Sequence, residues 1–112
     1  MVISQGEIWW ANFPASGSEG VRKPVVVVQS DALNRSRLPT VLCVPLTSNM
    51  KWGIAPGTTQ LPARLTGLDR DAVANVTRVV ALDRESLTER AGKLPQAKLD
   101  LLLAGINTVL GK

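Results

Sequence analysis

The sequence predicts a mainly β domain, a small, strongly bent barrel with one C-terminal helix packed on it. Three observations carry that reading. Short β-prone runs recur through residues 6–93, each stopped by proline, glycine or a polar turn. The period then changes, and Leu99, Leu102, Leu103, Ile106, Val109 and Leu110 fall on one face of a helix over 95–110. With 112 residues and 45% hydrophobic content, the chain can bury one core as a single domain spanning 1–112.

The elements follow in order. Gly6–Phe13 is aromatic and β-prone, and Pro14 ends it. Trp9 and Trp10 are adjacent, so on a strand they face opposite sides, one to the core and the other to a groove or interface. Pro24–Ser30 contains four consecutive valines, the pattern of a strand buried on both faces. Asp31–Asn34 suits one helical turn capped by Ser30 or Asp31. Pro39–Leu46 is the next strand, with Pro45 expected at an edge or end because it has no N–H for a ladder. Residues 49–57 read as a loop bearing an exposed Trp52. Thr58–Ala63 is a short strand and Gly67–Asp71 a turn. Ala72–Leu82 reads as one long strand carrying Val73, Val76, Val79 and Val80. Asp83–Ser86 is a helical turn, and Leu87–Lys93 the final strand. Pro95 fits the first turn of the helix and Gly111 its stop.

Composition narrows the chemistry. Thirteen basic residues against nine acidic ones give a net charge of +4. The excess is concentrated: residues 20–64 hold Arg22, Lys23, Arg35, Arg37, Lys51 and Arg64 against Asp31 alone. That favours a polyanionic partner. The sequence has no histidine, which removes His-based triads, HExxH sites and Cys/His zinc sites. The carboxylates show no metal-ligand spacing, so neither metal nor cofactor is expected. Cys43 is the single cysteine and lies in an apolar run, the setting of a buried reduced thiol. A reduced thiol, no visible signal peptide and no apolar run near the roughly 20 residues of a membrane span fit a cytoplasmic protein.

One juxtaposition stands out. Residues 17–28 run from a loop with two adjacent cations, Arg22 and Lys23, into the four-valine strand. Val41–Ser48 brings a second apolar strand to the hydroxyls of Thr47 and Ser48. If the strands pair, a positive charge and a hydroxyl meet at one rim of a sheet, which suits a phosphodiester.

Taken in order, Gly6-Glu-Ile-Trp9, Gly17-Ser-Glu19, Arg22-Lys-Pro-Val-Val-Val-Val-Gln29, Asn34, Val44-Pro-Leu-Thr-Ser48 and Ala74-Asn-Val-Thr-Arg-Val-Val-Ala-Leu-Asp83 resemble the MazF/PemK family of toxin endoribonucleases. The resemblance continues through Arg84, Leu87 and Gly92 into the helix. It implies an SH3-like barrel, a homodimer and sequence-specific, metal-independent cleavage of single-stranded RNA or mRNA. In this chemistry the 2′-hydroxyl of the RNA attacks the adjacent phosphorus, leaving a 2′,3′-cyclic phosphate and a 5′-hydroxyl. The resemblance also implies a cognate MazE-like antitoxin whose acidic tail lies in the RNA groove.

Thr47 aligns with the catalytic threonine of the family; as a strand-end hydroxyl it also suits a turn cap. The family most often has arginine directly before the proline, where this chain has Lys23, with Arg22 one step earlier. Two readings stand: Lys23 substitutes in place, or the loop shifts and Arg22 reaches the phosphate. The guanidinium fork favours Arg22 on chemistry. Glu19 is a candidate to accept the 2′-hydroxyl proton, or to order the neighbouring cations. Candidate RNA contacts are Ser18, Asn34, Arg35, Ser48, Lys51, Trp52, Asn75 and Thr77. Trp52 either stacks on a base or folds back on the barrel. Two rival functions share the barrel. A CcdB-type toxin binds DNA gyrase through a tryptophan near its C-terminus, but this chain ends Val109-Leu-Gly-Lys112. The other rival is a non-catalytic SH3-like nucleic-acid-binding module.

Overall fold

The computed structural model describes residues 2–13, 20–51 and 57–112. Its strands are β1 (Glu7–Phe13), β2 (Val21–Val27), β3 (Thr40–Thr47), β4 (Thr58–Leu61), β5 (Ala72–Asn75), β6 (Val80–Asp83) and β7 (Leu87–Lys93). The helices are α1 (Asp31–Asn34), α2 (Ala63–Thr66) and the long α3 (Gln96–Val109). Among the described residues all strand pairings are antiparallel, in the order β4-β5-β3-β2-β1-β7, with β6 also on β3. This is the mainly β domain with a C-terminal helix that the periodicities predict.

The valines of β2 and the residue after it alternate as a strand buried on both faces must. Val25 and Val27 join Trp9, Ala11, Val41, Cys43 and Leu82 on one side. Val26 and Val28 join Ile8, Val44, Leu46 and Leu102 on the other, under α3. Cys43 is fully buried, and burial pushes its thiol pKa up to about 12, so it is an inert core residue. On α3, Leu99 and Leu102 are buried and Leu103 and Ile106 pack partly. Val109 and Leu110 are exposed, so the apolar stripe outruns the surface it covers.

Four expectations are corrected. Arg22 and Lys23 belong to strand β2 rather than to a loop, opposite Asn12 and Ala11 of β1. Pro45 lies inside a central strand, not at an edge. It faces Val25 of β2 on one side, and on the other β3 changes partner from β6 (Thr40–Cys43) to β5 (Leu46–Thr47), leaving an interval at Val44–Pro45 where no ladder donor is needed. The long strand over 72–82 is broken into β5 and β6 by a 3₁₀ turn at Val76–Arg78. The Asn75 side chain starts that turn by accepting from the Thr77 backbone N–H at 3.0 Å, which competes with the ladder. The strand expected over Thr58–Ala63 stops at Leu61, and Ala63 instead opens helix α2, which ends at Gly67, whose φ of 79° is left-handed, where the expected turn begins.

That C-cap closes the barrel. Among the described residues β4 and β7 end the strand order without pairing to each other, and α2, which follows β4, lies against β7. The approach is backbone to backbone: a Cβ on Gly92 would stand 2.4 Å from the Thr66 carbonyl oxygen. The same contact fixes the turn after Gly67 against the body of the sheet.

Candidate functional site

The site originates in a change of partner. β3 pairs with β2 only as far as Val25–Pro45. From Leu46 onward it pairs with β5 instead, Leu46 opposite Ala74 and Thr47 opposite Val73. The first part of β2 keeps β1 on one side, and a cleft of about 380 Å³ opens on the other. Trp10, Lys23 and Pro24 line one side of it, and Pro45–Ser48 with Val73, Asn75 and Arg78 another. The turn over Leu68–Asp71 completes the wall.

The two adjacent cations stand differently to the cleft. Two residues beyond the last pair, Val25–Pro45, the same antiparallel alignment sets Lys23 opposite Thr47. Facing residues of an antiparallel pair project to the same side. Both line the cleft. Arg22 projects to the other side of β2 and is absent from the lining. Its guanidinium lies 4.5 Å from the Trp10 ring centroid and donates to Glu89 Oε2 at 2.8 Å. Lys23 reaches over the Phe13 ring, with Nζ 5.8 Å from its centroid. Among the described residues no carboxylate pairs with it.

Thr47 is exposed, and its Oγ1 accepts from the Asn49 backbone N–H at 3.1 Å. The hydroxyl therefore caps the turn after β3 and keeps its own proton to donate. Asn75 is half-buried, and its Oδ1 accepts from both the Thr77 N–H and the Thr77 hydroxyl, at 3.0 and 2.6 Å. What Asn75 offers the cleft is its amide N–H₂. Ser48 lines the cleft beside Thr47, whereas Lys51 and Thr77 are exposed outside the lining.

Other expected site residues lie elsewhere. Asn34 is 5% exposed and is an internal brace rather than an RNA contact. Its Nδ2 donates to the Gln29 carbonyl at 3.0 Å and to Asp31 Oδ1 at 3.2 Å, and its Oδ1 accepts from Gln29 Nε2 at 3.0 Å. Arg35 borders a separate hollow with Val2, Arg37, Leu38 and Arg84. Ser18, Glu19 and Trp52 lie outside the described residues.

Trp10 and the turn over Leu68–Asp71 line the cleft without having been singled out as site residues, and Arg78 lies beside them. The adjacent tryptophans did signal one of these. Trp9 took the core at 6% exposure, which leaves Trp10 on the opposite side of β1. The turn carried no such signal, because its place depends on how α2 docks. In charge the lining is mixed, with Lys23, Arg70 and Arg78 against Asp69 and Asp71. The Asp71 carboxylate is committed to the Ala63 backbone N–H, 2.8 Å away.

A small antiparallel β domain with a helix packed at its C-terminus is the fold of the MazF toxins. The chain superposes on MazF from Deinococcus radiodurans, solved in a MazE–MazF complex, with a TM-score of 0.83 over 99% of this chain and 97% of that one at 26% identity. Residues 4–110 match the PemK-like, MazF-like toxins of type II toxin-antitoxin systems, and the chain belongs to that family. Among its relatives, Endoribonuclease MazF6 of Mycobacterium tuberculosis is 46% identical over 98% of both chains. Endoribonuclease EndoA of Bacillus subtilis is 30% identical over 89% of this chain and 87% of its own.

Proposed function

We propose that the protein is a metal-independent, sequence-specific endoribonuclease toxin that cuts single-stranded RNA in the cytoplasm. The observation that carries the reading is that Lys23 and Thr47 line the same cleft, one a cation and the other a hydroxyl donor. Membership of a family whose named relatives are endoribonucleases supports it and ranks it above gyrase binding or passive nucleic-acid binding.

The residues suit attack by the RNA's own 2′-hydroxyl. That nucleophile is tethered beside its phosphorus, so the protein need not bind a water or generate a hydroxide. The 2′-oxygen–phosphorus bond forms and the phosphorus–5′-oxygen bond breaks, leaving a 2′,3′-cyclic phosphate and a 5′-hydroxyl. Extra negative charge on the phosphorane is the main demand. The Lys23 ammonium meets it as a point charge. The Thr47 hydroxyl donates to one non-bridging oxygen, with the Asn75 amide as a further donor. Glu19, close before β2 in sequence, accepts the proton of the 2′-hydroxyl. A second proton reaches the 5′-oxygen as its bond breaks.

The MazE–MazF complex of the Deinococcus toxin supports a cognate antitoxin here, and the family supports a homodimer. The test is incubation with a long RNA of defined sequence in excess EDTA, followed by mapping and chemical typing of the new ends. Cuts at a recurring motif with cyclic-phosphate and 5′-hydroxyl ends are expected. An intact RNA, or cleavage that EDTA abolishes, would refute the proposal.

A further inference from the structure

We propose that Trp10 is the stacking platform for an unpaired base next to the cut phosphate, with Arg22 and Glu89 as the buttress that holds the indole in place. The proposal rests on the endoribonuclease reading and names a base subsite within that cleft.

The arrangement follows from register. Trp10 is opposite Pro24 of β2 and Glu89 of β7, so these three side chains project from the same side of adjacent strands. Arg22, two residues from Pro24, shares that side. Its guanidinium lies over the indole, 4.5 Å from the ring centroid, and its Nη2 donates to Glu89 Oε2 at 2.8 Å. A guanidinium held over an aromatic ring and tethered at its far end limits how the ring can turn.

Trp10 is only half-buried, and it lines the cleft beside Lys23 and Pro24. A large aromatic there is not needed for the core, which Trp9 supplies from the other side of β1. An indole has two faces, and the guanidinium covers one. A flat apolar surface within a phosphate-binding cleft matches the π-face of a nucleobase, which every base presents. Glu89 offsets the charge of Arg22, so the buttress does not compete with Lys23 for the phosphate. This also gives Arg22 a role that leaves it out of the phosphate clamp.

The experiment is a cycle between protein and substrate. A short RNA bearing the mapped cleavage motif is compared with versions in which each nucleotide flanking the cut is made abasic in turn. Each is assayed with the wild type, Trp10→Ala, Trp10→Phe and Trp10→Leu, the last keeping apolar bulk without an aromatic face. In the wild type, one abasic position within two nucleotides of the cut should raise KM by roughly 10- to 100-fold, the usual strength of base–aromatic stacking. In Trp10→Ala and Trp10→Leu that penalty should vanish, and Trp10→Phe should restore most of it. If Trp10→Ala does not fold, the leucine and phenylalanine variants decide alone. Equal abasic penalties in the wild type and Trp10→Leu would overturn the proposal. So would a variant that lowers kcat on every substrate alike, or one that changes the oligomeric state, since Trp10 would then serve structure or a second copy. A wild type that cuts no RNA would instead refute the endoribonuclease reading.

Discussion

Lys23 and Thr47 take facing positions across the gap that opens when β3 leaves β2 for β5, two residues past the last pair, Val25–Pro45. Arg22 sits on the opposite side of β2, held between Trp10 and Glu89. Lys23→Ala should therefore lower kcat/KM on RNA by about 100- to 1,000-fold, the usual effect of losing one donor to a transition-state oxyanion. Lys23→Arg should retain most activity, because a guanidinium also serves phosphate. Arg22→Ala should cost under about 10-fold and act mainly through KM, as expected for loss of a buttress. Side-by-side steady-state kinetics check this, and the reverse order of severity would return the phosphate role to Arg22.

Thr47 does two jobs with one oxygen, accepting from the Asn49 N–H and donating its proton into the cleft. Thr47→Val keeps the shape and removes both. Cleavage should fall by about 100-fold or more, whereas stability should fall by only about 1 kcal/mol, the net worth of an ordinary hydrogen bond. Thr47→Ser should keep both functions. Cleavage rates with thermal melts of the same preparations separate the two jobs. A large loss of stability with unchanged cleavage would leave Thr47 as a cap only.

Much of the fold was legible because burial writes a simple pattern. The valines of β2, the run of β7 and the change of period at Pro95 needed only local rules. The break at Asn75–Thr77 was hidden because valines at 73, 76, 79 and 80 suit a strand whether or not it is interrupted. Only the side-chain bond from Asn75 stops it. Asn34 was misread for a related reason: a polar residue in a loop looks available, yet Gln29 and Asp31 consume its amide. In the site, the strand-end position of Thr47 was legible from its motif. Which of the adjacent cations lines the cleft was not, since it turns on how strands carrying residues 24 positions apart, 23 and 47, come together. The turn over Leu68–Asp71 enters the cleft through the docking of α2, which no local pattern announces.

Gly67 and Gly92 hold that docking. A Cβ on Gly67 would stand 2.2 Å from the Ala91 carbonyl oxygen, and one on Gly92 would stand 2.4 Å from the Thr66 carbonyl oxygen. Backbone cannot yield as a flexible side chain does, and Gly67 also has a left-handed φ of 79°. Gly92→Ala and Gly67→Ala should each destabilise the fold by about 2–4 kcal/mol. Gly111→Ala is the control: its φ of 76° is also left-handed, but nothing lies within 4 Å of a Cβ there, so it should cost only about 1 kcal/mol. Urea denaturation of the variants gives the comparison. Similar losses at Gly67 and Gly111 would mean that φ strain, not the closing contact, sets the cost at Gly67, and a loss under about 1 kcal/mol at Gly92 would remove the closing contact altogether.

Asp31 supplies a pH dependence whose sign is fixed by its bonds. Its Oδ1 accepts from the Gln5 backbone N–H at 2.7 Å and from Asn34 Nδ2 at 3.2 Å, tying the residues before β1 to α1. The Gln5 N–H holds the pKa below the ordinary 3.8, with help from Asn34 and the charges of Arg35 and Lys93, against a smaller opposing push from burial. A carboxylate with a depressed folded pKa stabilises the fold fully above its unfolded pKa and loses that contribution as pH falls through the folded value. Asp31→Asn should therefore lower Tm at pH 7 by roughly 3–6 °C for each kcal/mol lost. The gap from the wild type should shrink steadily as pH drops below the 3.8 of a free carboxyl, where the wild-type side chain is itself becoming neutral. Thermal melts from pH 7 down to about pH 2.5 trace that convergence. A gap that stays constant over this range would show that the carboxylate charge contributes nothing and that the hydrogen bonds alone hold the N-terminal segment.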